Sequence, residues 1–284
     1  MGCHLAQLIE KSRQVSEQSL ALHFRVGDDV LLVDKKKRRY ILKLKPGGIF
    51  SSHLGAISHD RLIGQTYGSR IELANGNTLI ALKPTLAENI LEMPRGAQVI
   101  YPKDLGAILI YADVFMNVSV LEAGVGSGAL SMALLGCGAT VTGYELREDF
   151  ANRALKNVNA RLGEKCKYTV ELRDIYEGID GKFDRIILDL PEPWKVIEHA
   201  QSALVPGGIF LSYLPTISQV VELNREFARI AANCFDIIET FEVMQRYWHV
   251  DGRSVRPEHR MVGHTGFIVS ARLVSDSISK DASE

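Results

Sequence analysis

Residues 118–130 read Val118-Ser119-Val120-Leu121-Glu122-Ala123-Gly124-Val125-Gly126-Ser127-Gly128-Ala129-Leu130. An apolar run suited to a strand meets alternating glycines, and Ala129-Leu130 opens a helix at once. Glycine at such a turn lets the backbone bend sharply and lets a ligand come closer than any side chain would allow. An ordinary tight strand-to-helix turn would use only the first property, so the surroundings of the loop decide its meaning.

Downstream, strands are expected at 139–144, 168–171, 186–190 and 209–214, after the one at 118–122, with helices at 130–135, 149–162 and 194–203 between them. A helix at 218–232 and strands at 237–243 and 266–273 complete the pattern. Strands apolar on both faces and alternating with helices imply a parallel sheet covered on both sides. The expected fold is therefore α/β: a Rossmann-like domain with a mostly parallel seven-stranded sheet over residues 96–274. Upstream, short strands at 30–33, 40–44, 71–73 and 78–81, the break Pro46-Gly47-Gly48 and the hairpin signal Asn75-Gly76 predict a small β-rich domain. With an N-terminal extension and a linker helix at 84–96, it occupies residues 1–95. The tail 275–284, rich in Ser and Asp, is expected to be disordered, and no internal repeat is visible.

The chain of 284 residues, 46% hydrophobic and 24% charged, suits a soluble protein of two domains rather than a disordered one. It has no apolar run of the roughly 18 residues that span a bilayer. Its start, Met1-Gly2-Cys3-His4-Leu5-Ala6, carries neither a signal-peptide core nor a myristoylation pattern, so a cytoplasmic protein without membrane contact is expected. Cys3, Cys137, Cys166 and Cys234 are isolated and read as free thiols, and the spacing of His249, His259 and His264 matches no zinc site; no metal is expected. A net charge of -1 excludes binding of nucleic acid by bulk positive charge. Lys35, Lys36, Lys37, Arg38 and Arg39, followed by Lys43 and Lys45, form a local basic patch. It is either a solvated hairpin turn or a contact for nucleic acid.

The glycine spacing is GxGxG, whereas dinucleotide folds carry GxGxxG. Glu122, just before the loop, would repel a pyrophosphate but can accept hydrogen bonds from an ammonium group. Glu145 ends the next strand, where it can accept from ribose hydroxyls, and Asp174 follows the third, where it can accept from an adenine amino group. This ordered set points to S-adenosylmethionine (SAM), held by Glu122, Gly124, Val125, Gly126, Ser127, Gly128, Glu145 and Asp174, with S-adenosylhomocysteine as product. The fourth strand runs into Asp189-Leu190-Pro191-Glu192-Pro193-Trp194. Asp189 could cap the next helix, but five positions and two prolines intervene, so it is assigned to the cofactor and substrate crevice at the strand ends.

With these residues, the chain resembles the tRNA (adenine-58-N1)-methyltransferases of bacterial and archaeal homotetrameric type. The resemblance is carried by Gly47-Gly48, His59-Asp60, Tyr101-Pro102-Lys103-Asp104, residues 121–128, residues 189–194, Tyr213-Leu214-Pro215, residues 256–261 and His264-Thr265. It implies a homotetramer, a tRNA substrate, SAM contacts at residues 124–127, Glu145, Asp174 and around Phe150, a catalytic Asp189, and Tyr101 beside the target base. Phe150 has no polar side-chain group, so its contact would be packing or backbone. The chemistry agrees: adenine N1 has a lone pair and needs no deprotonation, so alignment supplies much of the catalysis. Asp189 would accept from the N6 amino group and stabilise the cationic product. Tyr101 would stack on an extruded base, or is a core tyrosine at the domain boundary. Arg256, His259 and Arg260 line a substrate groove or a subunit contact. The alternatives are a SAM-dependent methyltransferase acting on another RNA position or a non-RNA substrate, and a non-catalytic RNA-binding subunit. An intact glycine loop together with Asp189 argues against the last.

Overall fold

The computed structural model describes residues 22–92, 98–230 and 234–274. Its contacts divide the chain into two compact units, Met1–Glu92 and Met93–Glu284.

The first unit contains β1 (Asp29–Val33), β2 (Arg39–Lys43), β3 (Ile49–Ser52), β4 (Gly55–Ser58), β5 (Ser69–Glu72), β6 (Thr78–Leu82) and α1 (Leu86–Glu92). An antiparallel sheet runs in the order β2-β1-β6-β5, and β3 and β4 form a separate hairpin that the sequence pattern had not suggested. Phe24, Val30, Leu32, Leu44, Ile57, Leu62 and Leu79 make its core. Gly48 is required there because a Cβ would come within 2.5 Å of the buried His59 ring, whose Nδ1 accepts from Lys45 N at 3.2 Å. The Asn75-Gly76 turn forms, but not as a two-residue loop. Glu72 pairs with Thr78, Leu73 N donates to Asn77 O, and only Gly76 takes a positive φ, of 78°. Asn75 instead donates through Nδ2 to Leu54 O at 2.6 Å, tying this turn to that of the β3–β4 hairpin. The linker helix expected at 84–96 is present as α1, with residues 93–97 outside the described set.

The second unit contains α2 (Pro102–Tyr111), β7 (Ser119–Ala123), α3 (Ala129–Gly136), β8 (Thr140–Glu145), α4 (Glu148–Leu162), β9 (Tyr168–Leu172), β10 (Phe183–Leu188), α5 (Ile197–Ala203), β11 (Leu204–Leu214), α6 (Ile217–Ile230), β12 (Phe235–Glu242), β13 (Trp248–Asp251), β14 (Ser254–Pro257) and β15 (Phe267–Leu273). The sheet order is β12-β15-β11-β10-β7-β8-β9, and only the pairings of β15 are antiparallel. This is the mostly parallel seven-stranded sheet expected. Leu121, Ile186, Leu188, Phe210 and Leu214 from neighbouring strands share a core with Phe227 and Phe235, whose rings pack 5.4 Å apart. Chain order reverses at β7, with β8 on one side and β10 on the other, so the carboxyl ends of β7 and β10 flank the crevice where open α/β sheets bind ligands.

Element ends differ from the expectation in places. β11 starts at Leu204, passing through Pro206-Gly207-Gly208 before the apolar run, and the helix expected at 194–203 begins as a 3₁₀ turn, Pro193–Val196. α2 and the β13–β14 hairpin were not anticipated. α2 opens with Pro102 in its first turn and buries Leu105 and Ile108, spaced by three. The tail 275–284, the first 21 residues and residues 231–233, at the end of the helix expected at 218–232, lie outside the described residues.

Candidate active site

Three backbone arrangements shape the site. Gly124, Gly126 and Gly128 adopt φ of 83°, 56° and 81°, values that residues with a Cβ rarely take. At Gly124 a Cβ would also overlap the carbonyl oxygen of Asp189, so the loop and the end of β10 are in backbone contact. Asp189 N donates to Ala123 O at 3.0 Å and Gly124 N to Tyr144 O at 3.2 Å, locking the ends of β7, β8 and β10 together.

The acids take distinct places around this cradle. Glu145 accepts from Gly126 N through Oε2 at 3.1 Å and from Arg147 N through Oε1 at 3.0 Å. Each oxygen keeps a lone pair for a further donor. Asp174 caps the 3₁₀ turn Ile175–Glu177, its Oδ1 accepting from Tyr176 N at 2.9 Å. Glu122 is only 1% exposed. Its Oε2 accepts from Ser131 Oγ at 2.6 Å, and Ser131 Oγ lies 2.9 Å from Tyr168 Oη. Glu122 Oε1 has no partner, alone among buried side-chain oxygens and nitrogens of the described residues. Burial pushes the Glu122 carboxyl up to about 8, and Asp189 and Glu145 add repulsion against the Ser131 bond. Burial likewise pushes Asp189 up to about 7.

A cavity of about 190 Å³ is lined by Gly124, Tyr144, Glu145, Arg173, Asp174 and their neighbours. A narrower one is lined by residues 98–100, Glu122, residues 124–127 and Asp189. Gly124 belongs to both, so the two adjoin. The wider space, edged by Glu145 and Asp174, suits an adenosine; the narrower, with its unpartnered buried carboxylate oxygen, suits an ammonium-bearing chain. A glycine cradle and an orphaned acceptor are what SAM requires, and the residues present fit it.

Gly128 lines neither cavity; it serves packing, since a Cβ would lie 3.2 Å from Ala154 Cα in α4. Phe150 also lies outside both linings, its ring covered by the Arg147 guanidinium 3.9 Å from its centroid. Tyr101, half-buried, stands just ahead of α2, next to residues 98–100 but not among the lining residues. Arg256, on β14, and the exposed His259 and Arg260 line neither. In the other unit, Arg38 is bound to Asp34 at 2.6 Å and Arg39 approaches Glu88 at 3.7 Å, while Lys35, Lys36 and Lys37 are exposed. Sequence reasoning missed Gln98 and Arg173 as lining residues. Arg173 pairs with Asp180 and lies 5.1 Å over the Tyr144 ring, so it reads as a wall rather than a base.

The family model described as "tRNA methyltransferase complex GCD14 subunit" matches residues 78–260, and the model "TrmI-like N-terminal" matches residues 23–71. The tRNA (adenine(58)-N(1))-methyltransferase TrmI of Thermus thermophilus is 36% identical over 247 residues, covering 86% of this chain and 96% of its own length. The TrmI of Methanocaldococcus jannaschii, named for adenines 57 and 58, is 31% identical and covers 88% and 97%. Among solved structures, the tRNA (m1A58) methyltransferase TrmI of Aquifex aeolicus superposes with a TM-score of 0.79 at 30% identity, covering 89% and 99%. A SAM-dependent O-methyltransferase of Thermotoga maritima gives 0.85 at 32%, covering 90% and 96%. Fold, site and sequence agree: the chain belongs to the GCD14/TrmI family of SAM-dependent tRNA methyltransferases.

Proposed function

We propose that this enzyme transfers the methyl group of SAM to N1 of adenine 58 in the T-loop of tRNA. The observation that carries the proposal is the position of Asp189. Its backbone touches the glycine loop, the residue is part of the wall of the narrower cavity, and no Lys, His or Cys lines either cavity among the described residues. Such a site suits a nucleophile that arrives with a free lone pair. When bound, SAM supplies an electrophilic methyl group on a sulfonium. Glu145 and Asp174 hold the adenosine end, and Glu122 accepts from the ammonium. Asp189 accepts from the N6 amino group of the target adenine, orienting N1 and offsetting the charge that grows on the ring. Tyr101 stacks on the extruded base.

A cytoplasmic location fits a tRNA substrate. Separately, no helix of the described residues is long and apolar enough to cross a membrane. A homotetramer is supported by exposed apolar surface at Ile110, Phe115 and Met116 and along the β13–β14 hairpin at Trp248, Val250 and Val255. Sedimentation velocity measures its mass directly. Residues 96–274 form the catalytic domain, while Lys35–Lys37 and the group Arg256, His259 and Arg260 contact tRNA or a neighbouring subunit.

The Thermotoga maritima structure favours a second reading, methylation of an oxygen. A hydroxyl must lose its proton to attack, and Asp189, raised to about 7, would then be the base. Incubation of unmodified tRNA with labelled SAM, followed by nucleoside mass spectrometry, separates the two. N1-methyladenosine that disappears when adenine 58 is replaced supports the proposal, whereas a 2′-O-methylated nucleoside overturns it.

A further inference from the structure

Lys103 and Asp104 open α2 side by side, and both are withdrawn from water: the Asp104 side chain is 0% exposed and that of Lys103 8%. Burying an ion pair is costly unless every remaining donor and acceptor is matched. Here they are. Lys103 Nζ donates to Asp104 Oδ1 at 2.7 Å, to Val243 O at 2.5 Å and to Thr265 Oγ1 at 2.5 Å, which uses all its protons. Asp104 Oδ2 accepts from Thr265 Oγ1 at 2.6 Å and from Tyr213 Oη at 3.3 Å.

The cluster joins four separated pieces of chain: the start of α2, the end of β11, the residue after β12 and the segment before β15. The register of β10 on β11 pairs Leu188 with Ser212, so the following residues, Asp189 and Tyr213, leave adjacent strands side by side. Gly266 also packs against the hydroxyl end of the Tyr213 ring, where a Cβ would overlap it. Burial first, with the Asp104 and Asp189 carboxylates, pushes the Tyr213 phenol up, so it remains a hydrogen-bond donor at neutral pH. Tyr101 precedes the pair by two residues, and its carbonyl accepts from Asp104 N at 2.9 Å.

We propose that Lys103, Asp104 and Thr265 are positioning residues for methyl transfer: they clamp Tyr213 beside Asp189 and anchor the chain bearing Tyr101, and so set the wall against which the target base rests. None of the three lines either cavity, so their effect passes through Tyr213 and Tyr101. The inference rests on the assignment of the crevice beside Asp189 as the place of the acceptor base.

The test is a pair of variants at Thr265, a half-buried position, with thermal unfolding measured on each to show that it is folded at the assay temperature. Thr265→Val keeps shape and deletes the hydroxyl; Thr265→Ser keeps the hydroxyl. With tRNA and SAM saturating, Thr265→Val should lower kcat by about tenfold or more, as misplacement of reacting groups does. KM for tRNA and the SAM dissociation constant should stay within about twofold, and Thr265→Ser should recover most of the rate. Asp104→Asn should act in the same direction, and Thr265→Val should add little to Tyr213→Phe if they act through one contact. A Thr265→Val protein that turns over at the parent kcat overturns the inference. So does one whose loss is shared by Thr265→Ser, or appears only as a lower melting temperature. If Asp104→Asn fails to fold, the Thr265 pair decides alone. The parent's own methylated nucleoside is the readout, so a different product would revise the proposed substrate without deciding the role of the clamp.

Discussion

Gly124 and Asp189 touch through their backbones: a Cβ at 124 would overlap the Asp189 carbonyl oxygen and stand 3.0 Å from its carbonyl carbon. Neither partner is a flexible side-chain end that could swing aside, and the φ of 83° at 124 is itself unfavourable to any residue but glycine. The glycine loop and the end of β10 are therefore one mechanical unit, and displacing one displaces the other.

It follows that Gly124→Ala should destabilise the protein by about 1–3 kcal/mol and lose methyl transfer far beyond that, because Asp189 moves with the loop. Gly126→Ala is the matched control. Its φ of 56° is also left-handed, but a Cβ there would meet nothing nearer than 3.9 Å. Strain of about 1 kcal/mol with smaller loss of rate is expected. Thermal unfolding and initial rates, measured side by side, compare the two; equal losses of rate would mean that strain alone matters.

Glu122 contributes to the pH dependence of stability. Its folded value of about 8 lies above the ordinary 4.5, so the native state keeps a proton that the unfolded chain releases. The stabilisation is fully present below about 4.5 and is lost as pH rises to about 8, by roughly 1 kcal/mol per unit. Asp189 acts in the same direction up to about 7. Glu122→Gln should make the SAM-free protein more stable than the parent at pH 8 and flatten the slope between 5 and 8. SAM affinity should fall by about tenfold or more, because the carboxyl can give up its proton to become a charged acceptor when the ammonium arrives, and a neutral amide cannot. Urea denaturation across pH, with calorimetry for SAM, tests both; an unchanged slope would place the titration elsewhere.

If Asp189 accepts from N6 as proposed, its active form is the carboxylate. Because burial raises its pKa to about 7, kcat/KM should be low in acid, rise through pH 7 and level off above it. Asp189→Asn should fold, bind tRNA nearly as the parent does, and lose this rise together with about 10²–10³ in single-turnover rate. If the variant keeps the same pH profile, Asp189 is not the titrating group.

The glycine loop, Glu122, Glu145, Asp174 and Asp189 were legible in the sequence because their placement is local: each sits at the end of a strand whose apolar pattern is plain. The Lys103–Asp104 pair was not, since adjacent opposite charges at a helix start ordinarily face water, and only contacts with Tyr213 and Thr265 far along the chain bury them. The β13–β14 hairpin carried a signal that went unused, Asp251-Gly252, with Gly252 at a φ of 53°. Phe150 and Tyr101 entered through family resemblance, and neither lines a cavity here. The Phe150 ring instead lies against the Arg147 guanidinium, a contact that spacing alone could not reveal.

The basic turn between β1 and β2 is where the two readings of the sequence still compete, and its geometry separates them. Asp34 organises the turn, accepting from Lys36 N at 2.7 Å, Arg38 N at 3.0 Å and Arg38 Nε at 2.6 Å. The Arg38 charge is thus committed to the fold. Lys37 takes a φ of 63°, a left-handed conformation that costs an L-residue about 1–2 kcal/mol and that Gly or Asn adopts more readily. A turn selected only for its hairpin would favour Asn or Gly at this position. Lys37→Asn should therefore stabilise the protein by up to about 1 kcal/mol. If the lysine meets the phosphate backbone, the same change should weaken tRNA binding and reduce the slope of log affinity against log salt by close to one charge, leaving SAM affinity as it was. Neutralising Lys35 and Lys36 should add to that effect without the gain in stability, whereas Arg38→Ala should destabilise the hairpin. Thermal melts and tRNA titrations at several salt concentrations give both numbers. A Lys37→Asn protein that is more stable and binds tRNA with the parent's salt slope would make the patch a solvated turn and move the tRNA contact elsewhere.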